Sequence, residues 1–175
     1  MKKVLFVVEK WFDPAHTEYG LATNEYGTIS TLASLNLGTS LAFYHDVFFQ
    51  DNPESGGKEI DIALVKECER SKPDMILATV MLQREEKNAT PGVFGYIRDE
   101  LKIPVVVIWA ESAPDVVKWA DNYAPFVTVN VFLDTKDEWS RHTKHPEKCV
   151  HLLEPRNTAL FNCSANVTSL SAVLK

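Results

Sequence analysis

Six short apolar runs constrain this chain more than any other feature of its sequence. They lie near residues 3–8, 41–48, 75–82, 104–109, 126–133 and 149–153, and helix-length segments separate most of them. The run Lys3-Val-Leu-Phe-Val-Val8 is β-branched and aromatic without polar alternation, as is Pro104-Val-Val-Val-Ile-Trp109. A strand with water on one face alternates apolar and polar residues, whereas a strand of a parallel sheet covered on both faces reads as a continuous apolar run. Strands alternating with helices therefore predict an α/β fold: a doubly wound, mainly parallel six-stranded sheet with helices on both faces, Rossmann-like. Right-handed crossovers limit the strand orders to a few. Six readable strands favour the order 3-2-1-4-5-6 over the flavodoxin-like 2-1-3-4-5.

Helix signals fall between the runs. Asn24 caps an expected helix to about Leu37, with Ile29, Leu32, Ala33 and Leu35 on its apolar side and Gly38 as its stop. Ile60, Ala63, Leu64 and Cys68 fit a helix ending near Ser71. Thr90-Pro91 starts another, since proline suits the first turn, where its missing N–H has no partner to lose. Ser112, Ala113 and Pro114 start the next, and a further helix is expected from Thr135 to about His142. Residues 1–161 read as one domain and 162–175 as a tail or the start of a second domain.

Composition excludes several classes. With 175 residues, 45% hydrophobic, the chain can bury a full core without disulfide staples. The net charge of −6 carries no basic stripe, so no nucleic-acid partner is expected. The first apolar run ends at Glu9-Lys10, too short for a secretion signal of about 7–15 apolar residues. No run approaches the roughly 20 residues of a membrane span. Three cysteines, Cys68, Cys149 and Cys163, leave one unpaired in any disulfide scheme. These features predict a cytoplasmic protein.

The chemistry-bearing residues are found from topology. In an open α/β sheet, ligands bind outside the carboxyl ends of the strands, near the point where strand order reverses. Glu9 then follows the first strand, His45 the second, Gln83 the third, and Glu111 with Ser112 the fourth. In the order 3-2-1-4-5-6 the first and fourth strands are neighbours, which brings the Glu9 and Glu111 carboxylates over one crevice. Such a pair suits acid–base work, each charge raising the other's pKa. Trp11, Phe12, Tyr19 and Tyr26, in the loop after the first strand, can stack on a sugar ring or a base. Neither a G-x-G-x-x-G turn nor a G-x-x-x-x-G-K-[ST] loop is present, so no dinucleotide cofactor is expected. His142, His145, Cys149 and His151 match no zinc spacing, and no metal is expected.

Three stretches carry a family resemblance. Ser71-Lys-Pro-Asp-Met-Ile-Leu77 resembles the helix-to-strand step of glycosyltransferases built from two Rossmann domains (the GT-B type). Ile103-Pro-Val-Val-Val-Ile-Trp109, followed by Glu111-Ser-Ala-Pro114, resembles their next strand and loop, as in CgeB-like members. Leu153-Glu-Pro-Arg-Asn-Thr-Ala-Leu-Phe161 is similar to the segment between their two domains, with Asn157 where aspartate is usual. The resemblance spans residues 71–161. It implies an acceptor-side domain, inactive alone, that works with a second Rossmann domain or subunit. Glu111 is then the candidate base for an acceptor hydroxyl, and Glu9, Trp11, His45, Gln83 and Ser112 are candidate contacts for a sugar-like or other small polar ligand. A second reading is a small-ligand domain without catalysis, of the cobalamin-binding kind. Asp13-Pro-Ala-His16-Thr-Glu-Tyr-Gly20 is similar to that family's Asp-x-His-x-x-Gly, but both spacings differ. A third is a non-catalytic interaction domain.

Overall fold

The computed structural model describes residues 3–8, 39–44, 57–80, 88–109, 112–133 and 140–152. The described strands are β1 (Lys3–Val8), β2 (Thr39–Tyr44), β3 (Met75–Thr79), β4 (Val105–Trp109), β5 (Val129–Phe132) and the three-residue β6 (Cys149–His151). The α-helices among the described residues are α1 (Gly57–Ser71), α2 (Pro91–Asp99) and α3 (Pro114–Tyr123). Every strand pair is parallel, and the order across the sheet is β2-β1-β3-β4-β5-β6. The α/β class and the parallel sheet flanked by helices are as the sequence predicts.

The order 3-2-1-4-5-6 is not adopted. β1 pairs with β2 on one side and with β3 on the other, through Leu5↔Ile76 and Val7↔Ala78. This is the flavodoxin-like order, carried further by the short edge strand β6. Apolar runs report burial and say nothing of which strand a crossover reaches, so the same sequence pattern serves both orders.

Register sorts the strand residues onto two faces. Leu5 and Val7, Ile76 and Ala78, Val105, Val107 and Trp109, and Asn130 and Phe132 share one face. The first seven of these and Phe132 belong to one buried cluster with residues of all three helices: Ile60 and Leu64 of α1, Phe94 and Ile97 of α2, and Val117 and Tyr123 of α3. Three helices on a single face follow from the topology. The steps β2→β3, β3→β4 and β4→β5 all run the same way across the sheet, and right-handed crossovers then stack their helices on the same side. The opposite face carries Val4, Phe6, Met75, Leu77, Val106, Ile108 and Val131. Phe6 and Val131 are buried there and the others only half-buried. The expected helices over 24–37 and 135–139 lie outside the described residues, and residues 140–142 form a turn.

Local chemistry sets the helix ends. Thr90 caps α2, its Oγ1 accepting from Val93 N–H at 3.4 Å, with Pro91 in the first turn. α1 and α2 both end on lysines in the left-handed region, Lys72 at φ 48° and Lys102 at φ 59°. The Lys72 N–H returns to Cys68 O at 2.9 Å and the Ile103 N–H to Ile97 O at 3.2 Å, so orphan carbonyls are satisfied as in glycine-capped helices. Positive side chains there also meet the negative ends of the helix dipoles. Arg98 ties the last turn of α2 to the connection before β5, donating from Nη1 to Pro125 O at 2.8 Å and Val127 O at 3.0 Å.

Gly95 packs directly against that connection. A Cβ there would stand 2.9 Å from Phe126 Cδ1 and 3.6 Å from Phe126 Cβ. Helix propensity alone favours alanine over glycine by about 1 kcal/mol. The expected result is that Gly95→Ala fails to stabilise the native chain, yet stabilises a Phe126→Ala background by roughly that amount. Urea midpoints of the four proteins of the cycle measure it. Equal stabilisation in both backgrounds would contradict the contact.

Candidate functional site

Parallel strands place all their carboxyl ends on one edge. From one side to the other these ends are Tyr44, Val8, Thr79, Trp109, Phe132 and His151. The chain leaves β1 for β2 in one direction and returns past β1 to β3 in the other, so the reversal point lies between β1 and β3. Of the candidate residues, Glu9 and Gln83 follow those two strands, His45 follows β2, and Glu111 and Ser112 follow β4. The order therefore corrects one pairing. β3 stands between β1 and β4, so the strands preceding Glu9 and Glu111 are two spacings apart, about 10 Å, and are not neighbours. β3, the strand that Gln83 follows in sequence, takes the place beside β1 that the sequence reading assigns to β4. Glu9, Trp11, His45, Gln83 and Glu111 themselves lie outside the described residues.

Ser112 is described, and it is buried at 1% exposure. It stands one position before the N-cap of α3, which is Ala113. Ala113 itself makes no side-chain cap bond; Val117 N–H bonds to Ala113 O at 2.9 Å and the helix starts at Pro114. The neighbouring helix start is different. Asp61 of α1 accepts from Thr90 N–H at 2.8 Å and from Thr90 Oγ1 at 2.6 Å. Its carboxylate thus sits at the positive end of α2, a favourable place for an anion. Burial pushes the Asp61 pKa above its ordinary value, against the two Thr90 hydrogen bonds, which pull it down. The start of α2 is accordingly served from within the chain.

Beneath the ends of β4 and β5 lies a buried polar and aromatic network. Trp109 Nε1 donates to Asn130 Oδ1 at 2.9 Å, and Asn130 Nδ2 donates to Ala120 O of α3 at 3.1 Å. Tyr123 OH donates to Ala89 O at 3.1 Å, just before α2. The Trp109 and Tyr123 rings meet edge to face at 5.8 Å, and Phe94 lies 6.0 Å from Tyr123. The network joins β4, β5 and α3 to the residue leading into α2 and holds this part of the carboxyl edge in one geometry. It contains no carboxylate, imidazole or thiol, so its role is to position. Sequence reasoning missed Asp61, Trp109, Asn130 and Tyr123 as organisers of this edge. A lone polar residue inside a strand, Asn130 within Val-Asn-Val-Phe, was the one available signal.

Neither described thiol is poised for nucleophilic work. Burial, followed by the charges of Glu67 and Glu69, pushes the Cys68 thiol up to about 12. Burial also raises that of Cys149, against a contact with Thr143. Asp121 of α3 takes the Thr143 hydroxyl at 2.6 Å and Lys144 N–H at 3.0 Å, which anchors the turn before β6. His142 and His145 belong to this anchored turn region, and among the described residues no three His, Cys, Asp or Glu side chains converge as metal ligands. A hollow of about 530 Å³ opens at the opposite, amino edge of the sheet, lined by Cys68, Glu69, Lys72, Asp74, Leu101 and Lys102 among others. Two acids balance two lysines there and the thiol is protonated, so no reactive group marks it. The strand reversal is the better guide to a ligand site.

No helix among the described residues is long and apolar enough to cross a membrane. No family model and no curated protein sequence matches the chain.

Proposed function

We propose that the protein is a small-ligand-binding α/β domain that takes a polyhydroxyl or similar polar molecule over the carboxyl ends of β1 and β3. The observation that carries this reading is the strand order, which sets the reversal point between those two strands. Glu9 and Gln83 follow them, and His45 follows the next strand outward. Carboxylate and amide groups suit the hydrogen bonds of hydroxyls, and Trp11 supplies an aromatic face for the apolar side of a sugar ring. Trp109 and Asn130 support the edge from below by locking β4 against β5 and α3.

The transferase reading is supported by the place of the resembling segments. Lys72-Pro73-Asp74 links α1 to β3, and Val105–Trp109 is β4. On this reading Ser112 and Glu111 belong to the acceptor side, with Glu111 the base for an acceptor hydroxyl. The flavodoxin-like order weighs instead toward the non-catalytic reading, because the transferase's Rossmann domains imply the order 3-2-1-4-5-6. It also leaves Glu111 without Glu9 on the adjacent strand. The chain alone is expected to show no sugar transfer, since closing two domains is what aligns donor with acceptor and expels water.

Amide chemical shifts on titration with neutral monosaccharides and with nucleotide sugars test the proposal. The expected shifts centre on Val8, Thr79 and Val80. Glu9→Gln and Gln83→Leu should each weaken binding roughly tenfold, the factor given by 1.4 kcal/mol. Shifts confined to residues 68–74 and 101–103 would move the site to the amino edge and refute the reading. Glu111→Gln separates the two functions, because only a transferase assembled with its second domain loses turnover through it.

A further inference from the structure

Among the described residues only Lys72 and Lys102 combine a side chain with a positive φ, and both line the hollow at the amino edge of the sheet. Lys72 lies in the turn from α1 into β3 and Lys102 in the turn from α2 into β4. Glycine takes such a backbone without strain, and a lysine there costs stability. Two strained lysines facing one hollow point to a use for their side chains. The apolar lining is Cys68, Pro73, Leu101 and Ile103, all buried or half-buried, whereas both lysines are exposed.

We propose that this hollow binds a small organic monoanion, a carboxylate on an apolar body, with Lys72 and Lys102 on the carboxylate and Cys68, Leu101 and Ile103 against the body. The site is separate from the one proposed at the carboxyl edge and does not depend on it. Its volume of about 530 Å³ falls within the range of small-molecule sites. The acids around it are partly committed. Asp74 Oδ2 accepts from Lys3 N–H at 2.6 Å, and Asp99, which Lys102 also attracts, is held by Arg98 at 2.7 Å. Lys3 Nζ donates to Ser71 O at 3.2 Å and so adds a third ammonium group beside Lys72. Three ammonium groups against the carboxylates of Glu69 and Asp74 leave a surplus of one positive charge, which suits a monoanion better than a phosphate dianion.

The probes are 2-naphthoate and 2-naphthylmethanol, which share an apolar body and differ in charge. Amide chemical shifts of the full chain are followed on titration with each. Both are expected to move Cys68, Leu101 and Ile103, with the carboxylate bound about tenfold more tightly. Lys72→Gly and Lys102→Gly should each bring naphthoate down toward the affinity of the alcohol. Neither should lower the urea midpoint, since glycine adopts positive φ freely. Glu69→Gln should tighten naphthoate binding by removing a repelling charge. Equal affinity for the two probes would overturn the proposal. So would naphthoate binding that both glycine variants leave unchanged, which would assign the lysines to the helix dipoles alone. Shifts centred on Val8, Thr79 and Val80 would place the anion at the carboxyl edge and overturn it as well.

Discussion

Asn130→Asp is expected to lower stability by about 4 kcal/mol at pH 7, by still more at pH 9, and by little below pH 4. Asn130 is fully buried, accepting from Trp109 Nε1 and donating to Ala120 O. An aspartic acid in its protonated form can make both bonds, its carbonyl oxygen accepting and its hydroxyl donating. The ionised form can only accept, and it would lie against the Ala120 carbonyl in a site without a cation among its hydrogen-bonding partners. Full burial raises a carboxyl pKa by roughly 3–5 units above its unfolded value near 3.9. A raised native pKa means that stability is whole below the unfolded pKa and is lost as pH rises toward the native one. Above the native pKa the loss levels off. Urea unfolding of the native chain and the variant at pH 4, 7 and 9 measures the difference at each pH. A gap that does not widen with pH would show that water reaches the site.

Trp109→Ala carries the second largest expected effect, about 3–5 kcal/mol, a large share of the 5–15 kcal/mol that holds most domains. Trp109 is 2% exposed and ends β4, with Tyr123 edge to face at 5.8 Å and Phe132 nearly parallel at 6.5 Å. Truncation removes the indole from this packing, leaves a cavity between β4 and α3, and strands Asn130 Oδ1 without its donor. Trp109→Phe separates these contributions. It keeps an aromatic ring but not the N–H, and is expected to cost about 1–3 kcal/mol, the penalty of an unpaired buried acceptor. Urea midpoints report both, and equal losses in the two variants would mean that packing matters less here than the hydrogen bond.

Legibility in the sequence differed between strands and site. β1 is read to its ends, because Lys3 to Val8 is uninterrupted and a charged pair follows it. β5 is read three residues too early. Phe126 and Val127 are as apolar as the strand, but their amides close the turn after α3, each bonding to Tyr123 O. The start of α2 is legible because Thr90 and Pro91 act within one turn. Its partner Asp61 is not, since it comes from 29 residues upstream on another helix. Trp109 and Asn130 likewise read as one more large residue and one odd polar residue until β4 and β5 are laid side by side.

The apolar runs and helix stops by themselves determined an α/β chain with parallel strands, since burial and helix capping are written in neighbouring residues. Strand order was decided only by the tertiary structure, which put β3 between β1 and β4 and so separated the positions after which Glu9 and Glu111 follow. The physical reason is that a crossover must be right-handed and long enough, but nothing in its local sequence states which strand it passes. A crevice between strand ends inherits that choice, because its members are neighbours through the sheet and not through the chain.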